Sequence, residues 1–130
     1  MPKYGHKSKK ELHTVHEDLQ ELMAEVIKYC DVSILQGIRT KEKQRELLEQ
    51  GKTKTLDSKH LNGEALDFAP YPTKWEDREN FIYIGGFIKG MAASMGIGIR
   101  YGGDWNNDFN LTNNNFDDLG HIELIWKAKN

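Results

Sequence analysis

Segments with a helical hydrophobic period alternate with short β-branched runs along the whole chain, an order that only a mixed, layered fold can satisfy. From residue 8 to 29 the apolar positions Leu12, Val15, Leu19, Leu22, Met23, Val26 and Ile27 form one helical stripe. Ser8 with Glu11 three residues later reads as a capping box at its start. "VSILQGIR" predicts a strand from Val32 to about Arg39. Thr40 then caps a second helix, "KEKQRELLEQ", which Gly51 ends. "EALDFAP" predicts a strand closed by Pro70 and Pro72, neither of which continues a ladder.

A third helix is expected from about Glu76 to Met95, with Phe81, Ile84, Phe87, Ile88, Met91 and Met95 in phase and Gly96 as its stop. Gly85, Gly86 and Gly90 weaken this helix and suit close packing on a sheet. "IGIRY" and "HIELIW" complete the strands, separated by a long Asn-rich surface loop, "GGDWNNDFNLTNNNFDDLG". The expected fold class is α+β, a small antiparallel sheet with flanking helices.

Length and charge narrow the function. A chain of 130 residues without repeats or linkers suits one domain spanning 1–130, and four residues after Trp126 leave no room for a wall-binding module. A net charge of −2 offers no basic surface for nucleic acid. The single cysteine, Cys30, excludes an internal disulfide and suits a reducing compartment. The N-terminus lacks the apolar core of a signal peptide, and no run approaches the ~18 apolar residues of a membrane span. Cytoplasmic synthesis without membrane insertion is the expectation.

The stretch "SKHLNGEALDFAP" sets His60 and Asp67 on either side of Gly63, which lets the chain turn tightly. Imidazole and carboxylate are zinc ligands, and a catalytic site supplies three of them and leaves one position to water. The third ligand is sought among the remaining histidines. His6, His13 and His16 lie near or on the first helix, whereas His121 opens the last strand behind two acids, so chemistry favours His121. Metal-assisted hydrolysis also needs a carboxylate outside the ligand set to carry protons. Asp118, three residues before His121, is the first candidate and Asp117 its competitor. Glu123 shares a strand face with His121 and would orient that ring or assist the proton transfer. The bland alternative is a structural His–Asp hydrogen bond and a strand-end histidine bonded to a carbonyl.

Ser58, His60, Gly63, Ala65 and Asp67 follow the pattern Ser-x-His-x-x-Gly-x-Ala-x-Asp, which resembles that of zinc D,D-peptidases and dipeptidases of bacterial wall peptides. "DDLGHIEL" is similar to their second signature, and "LQGIRT" to the segment that carries a substrate-side arginine. Within that group, the chain looks most like the phage L-alanyl-D-glutamate peptidases, over about residues 32 to 126. The resemblance implies a Hedgehog/D-Ala-D-Ala-peptidase-like zinc domain. Zinc would be held by His60, Asp67 and His121, with Asp118 as general acid/base, Arg39 on a substrate carbonyl or carboxylate, and Ser58 supporting the site. It implies an endolysin that cuts the L-Ala–D-Glu bond of the peptidoglycan stem peptide, is made in the host cytoplasm, and acts on the wall as a monomer. Many relatives carry glutamate where Asp118 stands, while the phage group uses aspartate. Two alternatives remain: a D-Ala-D-Ala carboxypeptidase or dipeptidase on the same scaffold, and a non-catalytic zinc-binding recognition domain.

Other features weigh less. His13 and His16 stand at i, i+3 without the glutamate of H-E-x-x-H and read as a solvated helix face. "DWNNDFN" begins like a calcium loop, but Phe109 replaces its glycine and Asn115 its final glutamate. A looser calcium site among Asp104, Asp108 and Asp117, in the 104–118 loop, stays open against a hydrogen-bonded loop. Trp75, Trp105 and Trp126 read as packing residues, with Trp105 the one placed for substrate contact.

Overall fold

The computed structural model describes residues 2–53, 55–113 and 117–126. Its elements are α1 (His6–Leu12), α2 (Glu17–Val26), β1 (Val32–Gln36), α3 (Lys41–Glu49), a 3-10 turn (Lys59–Asn62), β2 (Ala65–Pro70), α4 (Arg78–Ser94), β3 (Gly98–Tyr101) and β4 (His121–Trp126). The four strands form one antiparallel sheet in the order β1-β2-β4-β3. This is the α+β architecture expected from the alternating periods.

The long first helix is the main correction. His16 leaves helical geometry and caps α2, its Nδ1 accepting from the Asp18 N–H at 3.0 Å, while its own N–H donates to the Gly63 carbonyl at 2.8 Å. The stripe survives the break because Leu12 and Val15 stay buried beside Leu19, Leu22, Met23 and Val26. The expected capping box is used otherwise. Ser8 Oγ accepts from the Ile34 N–H at 3.0 Å and Glu11 Oε1 from the Gly37 N–H at 3.0 Å, so both side chains tie α1 to β1 and the turn after it. β1 also ends at Gln36 rather than Arg39, after a register shift between Ile34 and Gln36. Gly37 then passes so close to Thr14 and the Glu11 carbonyl that any side chain would collide with them.

Period two divides the sheet into a core face and a site face. Leu66, Phe68, Ile99, Tyr101, Ile122 and Leu124 are buried against the helices, with the Phe68 ring near both Phe81 and Tyr101. Asp67, His121, Glu123 and Arg100 fall on the other face, where Asp67 pairs directly with His121 and Arg100 with Glu123. α2 follows its expected stripe; in α4 Phe81, Ile84 and Ile88 are buried and Met91 and Met95 half-buried against the core, but Phe87 is exposed, and Thr40 caps α3 by accepting from the Lys43 N–H. The packing expectation for Trp126 concerns a side chain outside the described residues, as does the position of Asn115.

The three α4 glycines have different surroundings. A Cβ on Gly85 would strike the Tyr101 ring, whereas Gly86 and Gly90 face open space. Alanine is the better helix former by roughly 1 kcal/mol, but overpacking a core costs about 1–3 kcal/mol. Thermal melts should therefore show Gly85→Ala destabilised and Gly86→Ala or Gly90→Ala stabilised. Equal shifts at all three positions would contradict this packing.

Candidate metal centre and active site

The site is assembled from three directions. The 3-10 turn delivers His60, β2 delivers Asp67, and β4 delivers His121 from the strand beside it. Ser58 caps the turn, its Oγ accepting from the His60 N–H at 3.2 Å, and Gly63 closes it at φ +70°, the left-handed geometry glycine adopts without strain. His60 Nε2 and His121 Nδ1 both point at Asp67 Oδ1, at 3.1 and 3.4 Å. The His60 and His121 rings stand 5.1 Å apart. Among the described residues these three form the one cluster able to hold a metal, with all donor atoms within 4.8 Å of one another.

This geometry fits a tetrahedral ion. Bonds of about 2.0–2.2 Å space neighbouring donors roughly 3.3–3.6 Å apart, close to the two His–Asp separations. The far side of each ring is also engaged. His60 Nδ1 lies 2.8 Å from the Gly37 carbonyl, and His121 Nε2 lies 2.9 Å from Glu123 Oε1. Donation from those nitrogens leaves the inward lone pairs of the neutral rings free for a metal.

Electrostatics tie the cluster together. Burial pushes the Asp67 carboxyl up, but hydrogen bonds and charge from His121 and His60 outweigh it and hold the group well below the usual carboxylate range. Burial pushes the His121 imidazole down, yet its bonds to Asp67 and Glu123 raise it to about 9. Burial likewise works against the Glu123 carboxylate, and the His121 and Arg100 contacts bring it down to about 2. Asp118 goes the other way: burial, and then the Asp67 charge, raise its pKa. Its Oδ2 is 4.0 Å from His121 Nδ1, at the edge of the cluster rather than within it. Backbone bonds from Asp118 N to the Gly102 carbonyl and from His121 N to the Asp118 carbonyl fix this position. Gly102 is required there, because a side chain would collide with the Asp118 carbonyl.

The other candidates divide. Arg39, Ser58, Trp105 and Glu123 line the same groove of about 640 Å³ as the cluster and Asp118. Trp105 lies 5.2 Å from the His121 ring, centre to centre. Arg39 is held from within the chain at all three nitrogens: Nε donates to Gln36, Nη1 to Gln44 at 2.7 Å, and Nη2 to Asp67 Oδ2 at 3.3 Å. Asp117 turns away to pair with Arg78 at 2.7 Å. The calcium expectation gains no support. Asp104 is buried and accepts from Lys89 and from the Asp108 and Phe109 N–H groups, the Asp108 carboxylate accepts from Asn110 and Asn113, and Asp117 faces Arg78, so each carboxylate is taken up by donors of the chain.

Gln44 is the residue that sequence reasoning missed. It is the buried residue of α3, and its amide bonds the Thr55 carbonyl and Thr53 Oγ1 while its carbonyl holds Arg39. The available signal was a polar residue where α3 needs an inward-facing position. Gln44→Ala should cost about 1–3 kcal/mol by leaving buried partners unpaired, read as a lower urea midpoint at unchanged slope. A neutral result would remove Gln44 from this support.

The sequence profile of phage L-alanyl-D-glutamate peptidases matches residues 1–125. The chain belongs to this family. It is 33% identical to the L-alanyl-D-glutamate peptidase of Escherichia phage T5 over 135 aligned positions, covering 95% of this chain and 98% of that protein. A second family member, the L-alanyl-D-glutamate peptidase of Listeria phage A118, is 33% identical over 98 positions, 75% of this chain and 32% of that longer protein. The crystal structure of the Serratia marcescens L-Ala D-Glu endopeptidase ChiX superposes with a TM-score of 0.78 at 27% identity, covering 95% of this chain and 90% of that one. The likeness to L-Ala–D-Glu peptidases thus extends across both sequence and fold.

Proposed function

We propose that this chain is a zinc peptidase that hydrolyses the L-alanyl–D-glutamate bond of the peptidoglycan stem peptide, acting as a phage endolysin in host lysis. The observation that carries this reading is the His60–Asp67–His121 cluster opening onto a groove beside Asp118, in a chain whose relatives bear that activity in their names. Residues 1–130 act as one catalytic domain in this reading. The enzyme is made in the host cytoplasm and reaches the wall on release. No helix among the described residues is long and apolar enough to cross a membrane.

His60, Asp67 and His121 would hold the ion, and zinc bound there supplies Lewis-acid polarisation of the scissile carbonyl and acidifies water. Asp118 Oδ2 accepts a proton from the attacking water and delivers it to the departing amine nitrogen. Burial and then the Asp67 charge raise the pKa of this carboxyl. Glu123 and the Gly37 carbonyl keep the two imidazoles in their working tautomers, and Arg39 fixes the outer oxygen of Asp67. Trp105 offers the substrate an apolar face beside His121.

The test is digestion of purified Gram-negative peptidoglycan with and without a chelator, read by mass spectrometry. Stem peptides with N-terminal D-Glu, absent under chelation and restored by zinc, are expected. Release of D-Ala alone would move the activity to another bond, and intact wall in the presence of zinc would contradict a peptidase.

A further inference from the structure

One wall of the groove carries positive charge that the metal centre does not use. Five cationic side chains line the groove, and three are spent within the chain: Arg39 on Asp67, and Lys59 and Arg100 on Glu123. Lys43 and Lys52 line it too, both exposed, and neither is in an ion pair among the described residues. Among the described residues Asp57, an acid of the same groove, forms an ion pair with neither.

That wall is anchored. The Lys43 N–H donates to the Thr40 cap at 3.1 Å and the Lys52 N–H to the Leu47 carbonyl at 2.9 Å. Buried Gln44 fastens the segment just beyond Lys52 through the Thr55 carbonyl at 2.6 Å. Two cationic residues on anchored backbone therefore line the groove that holds the ligand cluster.

The geometry points to Lys43 and Lys52 as a subsite for the free carboxylate of the glutamyl residue on the amine side of the scissile bond, an inference that rests on the peptidase reading. A glutamate continued through one of its two carboxyls keeps the other as a free anion. Ammonium groups on flexible stems suit a single carboxylate that must be reached rather than clamped. Because both lysines are exposed, each contact contributes modestly, up to about fivefold, and salt screens it.

The experiment compares two synthetic stem peptides that differ only at this group, free carboxylate against carboxamide, in the wild type and in a Lys43→Gln/Lys52→Gln double variant. The wild type should favour the carboxylate peptide about tenfold in kcat/KM, mainly through KM, with the preference shrinking as salt is raised. In the double variant the ratio should fall toward one while zinc affinity, measured by chelator competition, stays at the wild-type value. Calorimetry of the D-Glu-terminated product and its carboxamide reads the same discrimination without turnover. A wild type that treats the two alike, or a variant that keeps the full preference, overturns the subsite. Discrimination in binding without cleavage of either peptide would uphold the subsite and overturn the peptidase reading.

Discussion

Asp118→Asn should leave a folded, zinc-loaded protein whose kcat is lower by about 10²–10⁴-fold, the range for loss of a positioned proton carrier. Asp118 Oδ2 sits 4.0 Å from His121 Nδ1 and outside the three-residue donor set, so the metal keeps all its protein ligands. Asparagine fills the same space and leaves intact the backbone bonds that link residue 118 to Gly102 and His121. It cannot take up a proton, so the loss should appear in kcat with KM little changed. Asp117→Asn is the control: its carboxylate serves Arg78 on the surface, and a small effect is expected. Steady-state kinetics on a defined peptide, with zinc content measured on the same samples, decide the matter. A variant at full rate would remove Asp118 from proton transfer, and one that lost zinc would make it a ligand.

Asp67→Ala should be the most damaging change to the metal centre. Asp67 Oδ1 lies against both imidazoles and Oδ2 accepts from Arg39, so one carboxylate joins all the parts. Zinc affinity should fall by more than about a hundredfold, beyond what losing an outer-shell partner costs. Stability should fall as well, by about 3 kcal/mol, because Arg39 is left buried without its counter-charge. Asp67→Asn separates the two effects. It keeps an acceptor for Arg39 and recovers part of the stability, but it lacks the anionic oxygen and should not recover the zinc. Chelator competition and urea denaturation on both variants test this directly. Tight zinc binding by Asp67→Ala would refute the ligand assignment.

The site was legible in places where chemistry demands particular residue types at short range. His60, Gly63 and Asp67 belong to one turn and the strand after it, so their spacing reports their geometry. The alternation of helical and β-branched segments likewise identified the strands, because burial of one sheet face imposes a period that sequence displays. The first helix was misjudged for the converse reason. Its apolar stripe runs on through residues 13–16, and periodicity cannot reveal that His16 would cap a new helix or that the Gly63 carbonyl would take its N–H. Ser8 and Glu11 have the spacing of a capping box, yet they answer to β1 and to the turn after it, more than twenty residues away.

By itself, then, the sequence determined the fold class, the imidazole and carboxylate types of the candidate ligands, and the turn and following strand that carry His60 and Asp67, since these follow from local spacing and side-chain chemistry. Tertiary structure alone decided that Asp67 and His121 face each other across β2 and β4, and that Asp118 turns toward the centre while Asp117 turns away. It also decided that Arg39 is gripped by Gln36, Gln44 and Asp67. The physical reason is strand register: the residue opposite Asp67 comes from 54 positions away, and that pairing follows from which faces of the sheet are buried.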